Sequence, residues 1–431
     1  MLMTPDEVFS NAQEFLQQEQ LPGWLIYDYR HSNPIFWQVV TPSGHVTRPC
    51  FLYIPASGAP QLLTHHVDAG KFAGTGLHLV VYRNRQTMLE GLKQALSGVA
   101  TVAMEYSPQN QLPRVSRVDA GTVELVRSLG VEVVSSADLM QYATQCWTPE
   151  QLEGHRRAAA RLGQIVNEAF QLVGTRLRET DPPTSPLGKG GLEGGAHQEE
   201  GRGPTEYEIA EFIRRRYREE GLEATDGPIV SVNAHCSDPH YEPASQGSSV
   251  IQPGDWVLID LWAREARAPT SRLGEEGVEG GNTSVYADIT WTAYVGDRVP
   301  RRHQEVFDIV IGAREAALKF LEDSFQRGES VEGWQADAVA RQYIEERGYG
   351  QYFTHRLGHS ISYEVHGEAV NLDGFETHDT RRIIPGIGFS IEPGIYLPDF
   401  GVRSEIDAYM SESGPYATSP VQREVVLIGR G

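Results

Sequence analysis

Two aspartates in the second half of the sequence stand in strand-like surroundings. Asp260 interrupts the apolar run 256–262, where a lone carboxylate is costly unless it is paired or bound to a metal ion. In the run 284–294, the alternation of polar and apolar residues places Asp288 and Thr290 on one face. If the two runs pair as a hairpin, both carboxylates can face one point.

Histidines and two glutamates follow these aspartates. The segment 355–368 contains three histidines, and Glu392 and Glu405 lie in strand-like runs separated by turn residues, so they too could face each other across a hairpin. Each such residue alone is more often a surface or core residue than a ligand. Together the set has the order Asp–Asp–His–Glu–Glu: Asp260, Asp288, His359, Glu392 and Glu405.

Four carboxylates and one imidazole form an oxygen-rich site that suits Mn²⁺, and that Co²⁺ or Zn²⁺ can also occupy. The four negative charges balance two divalent cations, which makes burial of the group tolerable. Two metal ions about 3.5–4 Å apart can hold a bridging hydroxide and polarise a scissile carbonyl. Such a donor set is compatible with hydrolysis assisted by two divalent metal ions, and among divalent metals it favours Mn²⁺.

Short words around these residues resemble a known family. They are Asp288-Ile289-Thr290, Leu357-Gly358-His359, Val365-His366 and the runs 391–396 and 401–405. Through them, residues 150–428 resemble the pita-bread-fold metallopeptidases, which include prolidase, aminopeptidase P and methionine aminopeptidase. Residues 1–150 look like the N-terminal domain of the prolidase and aminopeptidase P branch, and methionine aminopeptidases generally lack that domain.

The resemblance implies an Xaa-Pro dipeptidase or Xaa-Pro aminopeptidase, which cleaves the bond before proline through a metal-bridging hydroxide. Asp260 would bind one metal ion, and His359 and Glu392 would bind the other. Asp288 and Glu405 would bridge the two ions. Glu392 would also take the proton from the nucleophilic water.

Other residues match positions around the family's metal ions. His240 and His366 would hydrogen-bond the substrate and stabilise the developing oxyanion or the leaving amine. Arg403 would orient the carboxylates. Asn233 and Tyr241 are expected to line the substrate pocket.

A dipeptidase must also hold the free carboxylate of its substrate, which calls for a cation at the far end of the pocket. Arg381 and Arg382 lie in the region where prolidases carry such a group, so we expect them to bind substrate. The choice between dipeptidase and aminopeptidase stays open at this point.

The sequence departs from the family pattern in three places. The 27 residues between Asp260 and Asp288 exceed the usual spacing by about the length of a glycine-rich insertion, so the ligands themselves need not move. Ser360 and Ser362 replace small glycines after the histidine ligand, which alters the approach of the backbone to the metal. Ile406 stands where aminopeptidase P-like members often have aspartate.

The elements that must position these residues divide into two domains. In residues 1–148, short strands alternate with helical patterns, which predicts an N-terminal α/β domain. The resemblance implies that it is of the creatinase/prolidase type. Its predicted strands and helices are 24–27, 51–54 and 79–82, and 86–96 and 123–129. Thr148, Pro149 and Gln151 have the pattern of a helix start. The resemblance implies an α+β pita-bread (creatinase/aminopeptidase) domain over 149–431, in which the sequence predicts helices from 149 to about 174 and over 206–220.

Two glycine-rich insertions interrupt the second domain, near 180–204 and 266–283. Nine of 13 aligned positions are identical between 183–195 and 269–281. Such a composition buries little apolar area, so both are expected to be surface insertions. The second would form the loop of the hairpin that carries the aspartates.

Composition excludes several classes of protein. The 58 acidic against 37 basic side chains give a net charge of −21, which disfavours binding to nucleic acid. No apolar run approaches the length of a membrane span, and the first residues lack the pattern of a secretory signal. We therefore expect a cytoplasmic protein, and the resemblance implies a proline-containing peptide as substrate and a homodimer.

Two alternatives share the fold. One is a metal-free, creatinase-like hydrolase of a small C–N bond, and the other is a non-catalytic binding protein. Relatives of both kinds tend to lose metal ligands, whereas all five are present here. Metal content would separate the peptidase from both.

Overall fold

The computed structural model describes residues 3–180, 203–267 and 284–429, so most of both insertions lies outside the described residues. Before residue 149 the helices are α1 (Pro5–Gln18), α2 (Pro34–Val39), α3 (Arg85–Ala95), α4 (Ala120–Ser128) and α5 (Ala137–Thr144). The strands there are β1 (Gly23–Asp28), β2 (Cys50–Pro55), β3 (Gln61–His65), β4 (His78–Tyr82), β5 (Thr101–Met104) and β6 (Glu132–Ser135).

These strands form one mixed sheet in the order β4-β3-β2-β1-β5-β6. Strand β1 is buried on both faces, because Trp24 and Ile26 pack into one apolar cluster while Leu25 and Tyr27 pack into another. This period of two is what a strand between two layers requires. The prediction of an N-terminal α/β domain is confirmed.

Helices and longer strands dominate the rest of the chain. The helices are α6 (Pro149–Thr180), α7 (Glu206–Glu219), α8 (Arg301–Gln326) and α9 (Gly333–Glu345). The strands are β7 (Leu222–Glu223), β8 (Ile229–Val232), β9 (Trp256–Glu265), β10 (Ala287–Tyr294), β11 (Ser360–Ile361), β12 (Gly388–Ile391), β13 (Gly394–Tyr396), β14 (Gly401–Arg403), β15 (Ile406–Ser411), β16 (Gly414–Ala417) and β17 (Val426–Leu427).

Helix α6 begins at Pro149, where the sequence predicts a helix start. The Thr148 backbone N–H donates to Gln151 Oε1 at 2.8 Å, and the Gln151 N–H donates to Thr148 Oγ1 at 3.2 Å, which forms a capping box. The helix continues beyond its predicted end near residue 174, because Leu177 still packs into the apolar cluster beneath it. The domain boundary at residue 148 stays a prediction.

After residue 149, the described strands form two larger sheets and a two-stranded sheet of β13 and β14. The first has the order β17-β10-β9-β7, with β8 also paired to β9, and the second has the order β11-β12-β15-β16. Helices α6 and α7 share an apolar cluster with the first sheet, while α8 and α9 share one with the second. Strands β9 and β10 pair in antiparallel fashion, so the hairpin predicted for the two aspartates is confirmed. Within the described ranges, every helix is too short or too polar to cross a membrane.

Trp147 packs the end of the N-terminal half against β12. Its ring leaves no room for a side chain at position 388, because a Cβ on Gly388 would lie 2.0 Å from Trp147 Cη2. The Trp147 indole N–H also donates to the Ile361 carbonyl at 3.1 Å. Gly388 is therefore required by close approach.

We expect Gly388→Ala to lower the free energy of unfolding by about 1–3 kcal/mol, the usual cost of overpacking. Gly74→Ala is the matched control, since a Cβ there meets nothing within 4 Å. The midpoints of denaturant unfolding measure both effects. Equal midpoints for the two variants would contradict this account of the packing.

Candidate metal centre

The β9–β10 hairpin brings the two aspartates onto one face. Asp260 pairs directly with Thr290, and Asp288 lies two residues earlier on the same side of β10. Both aspartates are buried. The register therefore makes the two carboxylates diagonal neighbours, as the alternation in the sequence predicted.

The two glutamates lie opposite each other where the second sheet continues into a hairpin. The pairs Ile391↔Ile406 and Gly394↔Arg403 bracket them, so Glu392 and Glu405 occupy matching positions between the two ladders. The hairpin predicted from the turn residues between the glutamates is present in β13 and β14.

His359 enters the same space from the start of β11. A Cβ on the preceding Gly358 would lie 2.0 Å from the Ser390 carbonyl oxygen, so glycine allows the backbone to approach closely there. His359 Nε2 lies 3.4 Å from Glu392 Oε1 and 3.8 Å from Asp288 Oδ2, while Nδ1 lies 3.1 Å from the Ser360 carbonyl. With Nδ1 donating to that carbonyl, Nε2 has a lone pair available for a metal ion.

Ligand atoms of Asp288, His359 and Glu405 all lie within 4.8 Å of one another, and the three residues are buried. Asp288 Oδ1 and Glu405 Oε1 have no hydrogen-bond partner among the described residues. Burial and the neighbouring carboxylates raise the pKa of Asp288 and of Glu405 well above their ordinary values. Burial raises the pKa of Glu392 to about 7. A site this acidic and this unsatisfied fits a divalent cation.

Arg403 offsets part of this charge. Its Nη2 forms a buried ion pair with Asp260 Oδ2, and its Nε donates to Thr290 Oγ1 at 3.1 Å. Thr290 Oγ1 lies 3.0 Å from Asp260 Oδ1 and 2.8 Å from Glu405 Oε2. One hydroxyl hydrogen can serve only one of those carboxylates at a time, so the other still needs a proton or a cation.

Asp407 is a supporting residue that the sequence analysis missed. It is fully buried, and its Oδ2 accepts the backbone N–H of Asp288 at 2.9 Å. Asp407 directly follows Ile406, the position where aminopeptidase P-like proteins often have aspartate. A signal was available, since Asp407 follows Glu405 by two residues and so lies on the same face of the strand.

A cavity of about 290 Å³ opens onto this cluster. All five predicted ligands line it, together with the predicted residues His240, His366 and Arg403. Charged wall residues that the sequence analysis did not single out are Asp226, Glu242, Arg356 and Glu376.

Asn233 and Tyr241 do not line the cavity. Asn233 Nδ2 donates to Asp255 Oδ1 at 2.7 Å, and its Oδ1 accepts the Trp256 N–H at 2.9 Å, so it anchors the start of β9. The Tyr241 hydroxyl donates to Glu206 Oε2 at 2.7 Å. Both side chains are used in local structure, and the geometry does not support the predicted contact with substrate.

Arg381 and Arg382 are also absent from the cavity wall. Arg381 is buried and pairs with Asp379 at 2.6 Å. Arg382 pairs with Glu19 at 2.9 Å and with Asp138 at 3.2 Å, both in the N-terminal half. The expectation that these arginines hold the substrate carboxylate is corrected, because their charges are already neutralised elsewhere.

The loop that carries His366 is held by the N-terminal half. Arg114 Nη1 donates to the carbonyls of His366 and Gly367 at 3.2 and 2.9 Å, and it pairs with Glu368 at 3.1 Å. The Glu368 N–H donates to Gln145 Oε1 at 3.3 Å. Residues far away in sequence therefore fix the backbone of this cavity wall.

Solved peptidase structures share this architecture. The dipeptidase PepE from Mycobacterium ulcerans gives a TM-score of 0.66 at 22% identity, with 99% of this chain and 98% of that chain covered. A prolidase from Thermococcus sibiricus gives 0.58 at 21% identity, with 99% of each chain covered. The fold is that of the pita-bread peptidases, with an N-terminal α/β domain before the pita-bread domain.

The family follows from the sequence match. Residues 153–268 and 278–412, more than half of the chain, match metallopeptidase family M24, and the chain belongs to that family. The gap between the two matched stretches falls inside the second glycine-rich insertion. This gap agrees with the prediction that the insertion accounts for the long spacing between the aspartates.

Several curated relatives carry the name of a dipeptidase. The probable dipeptidase PepE of Mycobacterium tuberculosis is 25% identical over 88% of this chain and 85% of its own length. The Xaa-Pro dipeptidase of Pyrococcus furiosus is 28% identical over 52% of this chain and 56% of its own length. The putative dipeptidase YkvY of Bacillus subtilis is 27% identical over 52% of this chain and 54% of its own length. The chain thus spans about half the length of the last two relatives.

We expect metal binding to the chelator-stripped protein to release protons. The raised pKa values of the buried carboxyls keep protons on them in the metal-free protein, and a metal ion needs them ionised. Apparent affinity for Mn²⁺ should therefore rise as the pH increases toward about 7, the pKa of Glu392. Calorimetric titrations in two buffers of different ionisation enthalpy count the protons.

Glu405→Gln should bind Mn²⁺ more weakly and release fewer protons. Glu412→Gln, at an exposed position in the turn after β15, is its control. Heats of binding that do not depend on the buffer would contradict this prediction.

Proposed function

We propose that the protein is a metal-dependent peptidase that hydrolyses the bond before proline in Xaa-Pro dipeptides or at peptide N-termini. The observation that carries the proposal is the buried Asp288–His359–Glu405 cluster, with two unpartnered carboxylate oxygens, at a cavity that Asp260 and Glu392 also line. Membership of family M24 and the names of the dipeptidase relatives support it.

Five residues would hold two divalent metal ions. Asp260 would serve one ion, His359 and Glu392 the other, and Asp288 and Glu405 both. Mn²⁺ is the expected ion, because four of the five donors are carboxylates. Bound divalent cations at such a site lower the pKa of a water molecule and polarise a carbonyl oxygen.

The protein's own residues would do the remaining work. Glu392 lies on the cavity wall beside His359 and can carry a proton from water to the leaving amine. His240 and His366, on the same wall, can hydrogen-bond the carbonyl oxygen as its charge develops. Arg403 keeps Asp260 and Thr290 in place through its ion pair and hydrogen bond.

An activity assay after metal exchange tests the proposal. The stripped protein is reloaded with Mn²⁺, Co²⁺ or Zn²⁺ and given Xaa-Pro dipeptides and longer peptides with proline in second position. We expect Mn²⁺ to restore cleavage before proline, with products identified by mass spectrometry.

His359→Ala should lower kcat/KM by more than about 100-fold, since even outer partners of metal ligands cost 10–100-fold when removed. The control is His78→Ala, at an exposed position on β4 in the N-terminal half. Metal-loaded protein that cleaves no peptide would contradict the proposal. Full activity after metal removal would also contradict it and would favour a metal-free hydrolase.

A further inference from the structure

We propose that Arg356 binds the terminal carboxylate of the substrate and so makes the enzyme prefer dipeptides to longer peptides. This inference rests on the proposed peptidase function and names the substrate class of the same site. It assigns to Arg356 the role that the sequence analysis expected for Arg381 and Arg382.

Arg356 has the position that the role requires. It lies on the wall of the cavity that contains the predicted metal ligands, three residues before His359. A carboxylate bound there would belong to a peptide whose scissile bond is close to the cluster.

The Arg356 guanidinium also has a hydrogen-bond donor that no described residue uses. Its Nη1 donates to Glu376 Oε2 at 3.1 Å, and its backbone N–H donates to Glu376 Oε1 at 3.1 Å. Its Nε is buried and has no partner among residues 3–180, 203–267 and 284–429. The ion pair with Glu376 therefore leaves the Nε side of the guanidinium available, and that edge can bind a carboxylate through two parallel hydrogen bonds.

The charges on the cavity wall also favour Arg356 as the residue that binds the substrate carboxylate. Arg403, the other arginine on the described wall, is occupied by Asp260, Thr290 and the Tyr396 hydroxyl. Outside the predicted metal ligands, the acidic residues of the wall are Asp226, Glu242 and Glu376, and they would repel an anionic group of a substrate. Arg356 is the cation of the described wall that can receive it.

Cavity size agrees with a short substrate. At about 290 Å³, the space is just below the range of roughly 300–1,000 Å³ that is typical of small-molecule sites. A dipeptide ends within such a space, and its carboxylate must then be neutralised by the wall. A longer peptide has no carboxylate at that position and gains nothing from Arg356.

The experiment compares Arg356→Ala with wild type on a dipeptide with a free carboxylate, on the same dipeptide with a C-terminal amide, and on a tripeptide. We expect wild type to prefer the free dipeptide. Arg356→Ala should raise KM for the free dipeptide by about 10–100-fold, the effect of losing a charged hydrogen bond. For the amide and the tripeptide, KM should change by less than about threefold.

Two further variants separate this role from a structural ion pair. Glu376→Gln breaks the pair but leaves the guanidinium, and it should lower KM for the free dipeptide because a competing carboxylate is gone. Arg347→Ala, at an exposed position beyond the end of α9, controls for the loss of an arginine and should match wild type.

Equal effects of Arg356→Ala on all three substrates would overturn the inference alone, and so would matching effects of Arg356→Ala and Glu376→Gln. Wild-type protein that cleaves none of the substrates with Mn²⁺ bound would overturn the proposed function, and the inference with it.

Discussion

Crowding of buried carboxylates is the constraint on which the structure after residue 149 depends. Asp260, Asp288, Glu392 and Glu405 line one small cavity, where their charges repel each other with little water to screen them. Arg403 relieves only part of this repulsion through Asp260. The fold must therefore hold like charges together against their tendency to separate, and cations or protons must complete the balance.

Backbone pairing supplies that restraint. The first sheet holds the aspartates, and the glutamates lie just beyond the last pair of the second sheet, Ile391↔Ile406. The Glu405 N–H joins the two by donating to the Thr290 carbonyl at 3.2 Å. Ladder hydrogen bonds do not change when the side chains gain or lose protons, so the backbone holds the four carboxylates in place in either protonation state. The apolar layers of helices behind both sheets exclude water and make the crowding costly.

Local patterns predicted the parts that depend on local physics. Alternation along 284–294 predicted the face of Asp288, and the capping residues around Pro149 predicted the start of α6. Strands β3, β5 and β6, which lack an obvious apolar run bounded by turns, were not predicted, because pairing with neighbours in the sheet forms them. The supporting role of Asp407 shows only in the structure, where its buried carboxylate accepts the Asp288 N–H.

The partners of charged side chains also could not be predicted from the sequence, because only the folded chain brings them together. Arg382 looked free for a substrate because its partners, Glu19 and Asp138, lie far away in sequence. Arg356 showed no special pattern, although Glu376 lies only 20 residues away. An arginine can be assigned a ligand only after its internal partners are known.

The hydrogen bonds from Arg114 to the loop of His366 give the N-terminal domain a part in shaping the cavity at the carboxylate cluster. The contact is made through carbonyl oxygens, so it constrains the path of the loop whatever side chains the loop carries. Side chains of this wall could then change while Arg114 of the N-terminal domain still held the backbone of the loop in place. The two domains therefore depend on each other structurally. A C-terminal domain expressed without the N-terminal domain would lose the Arg114 contacts that support the His366 loop.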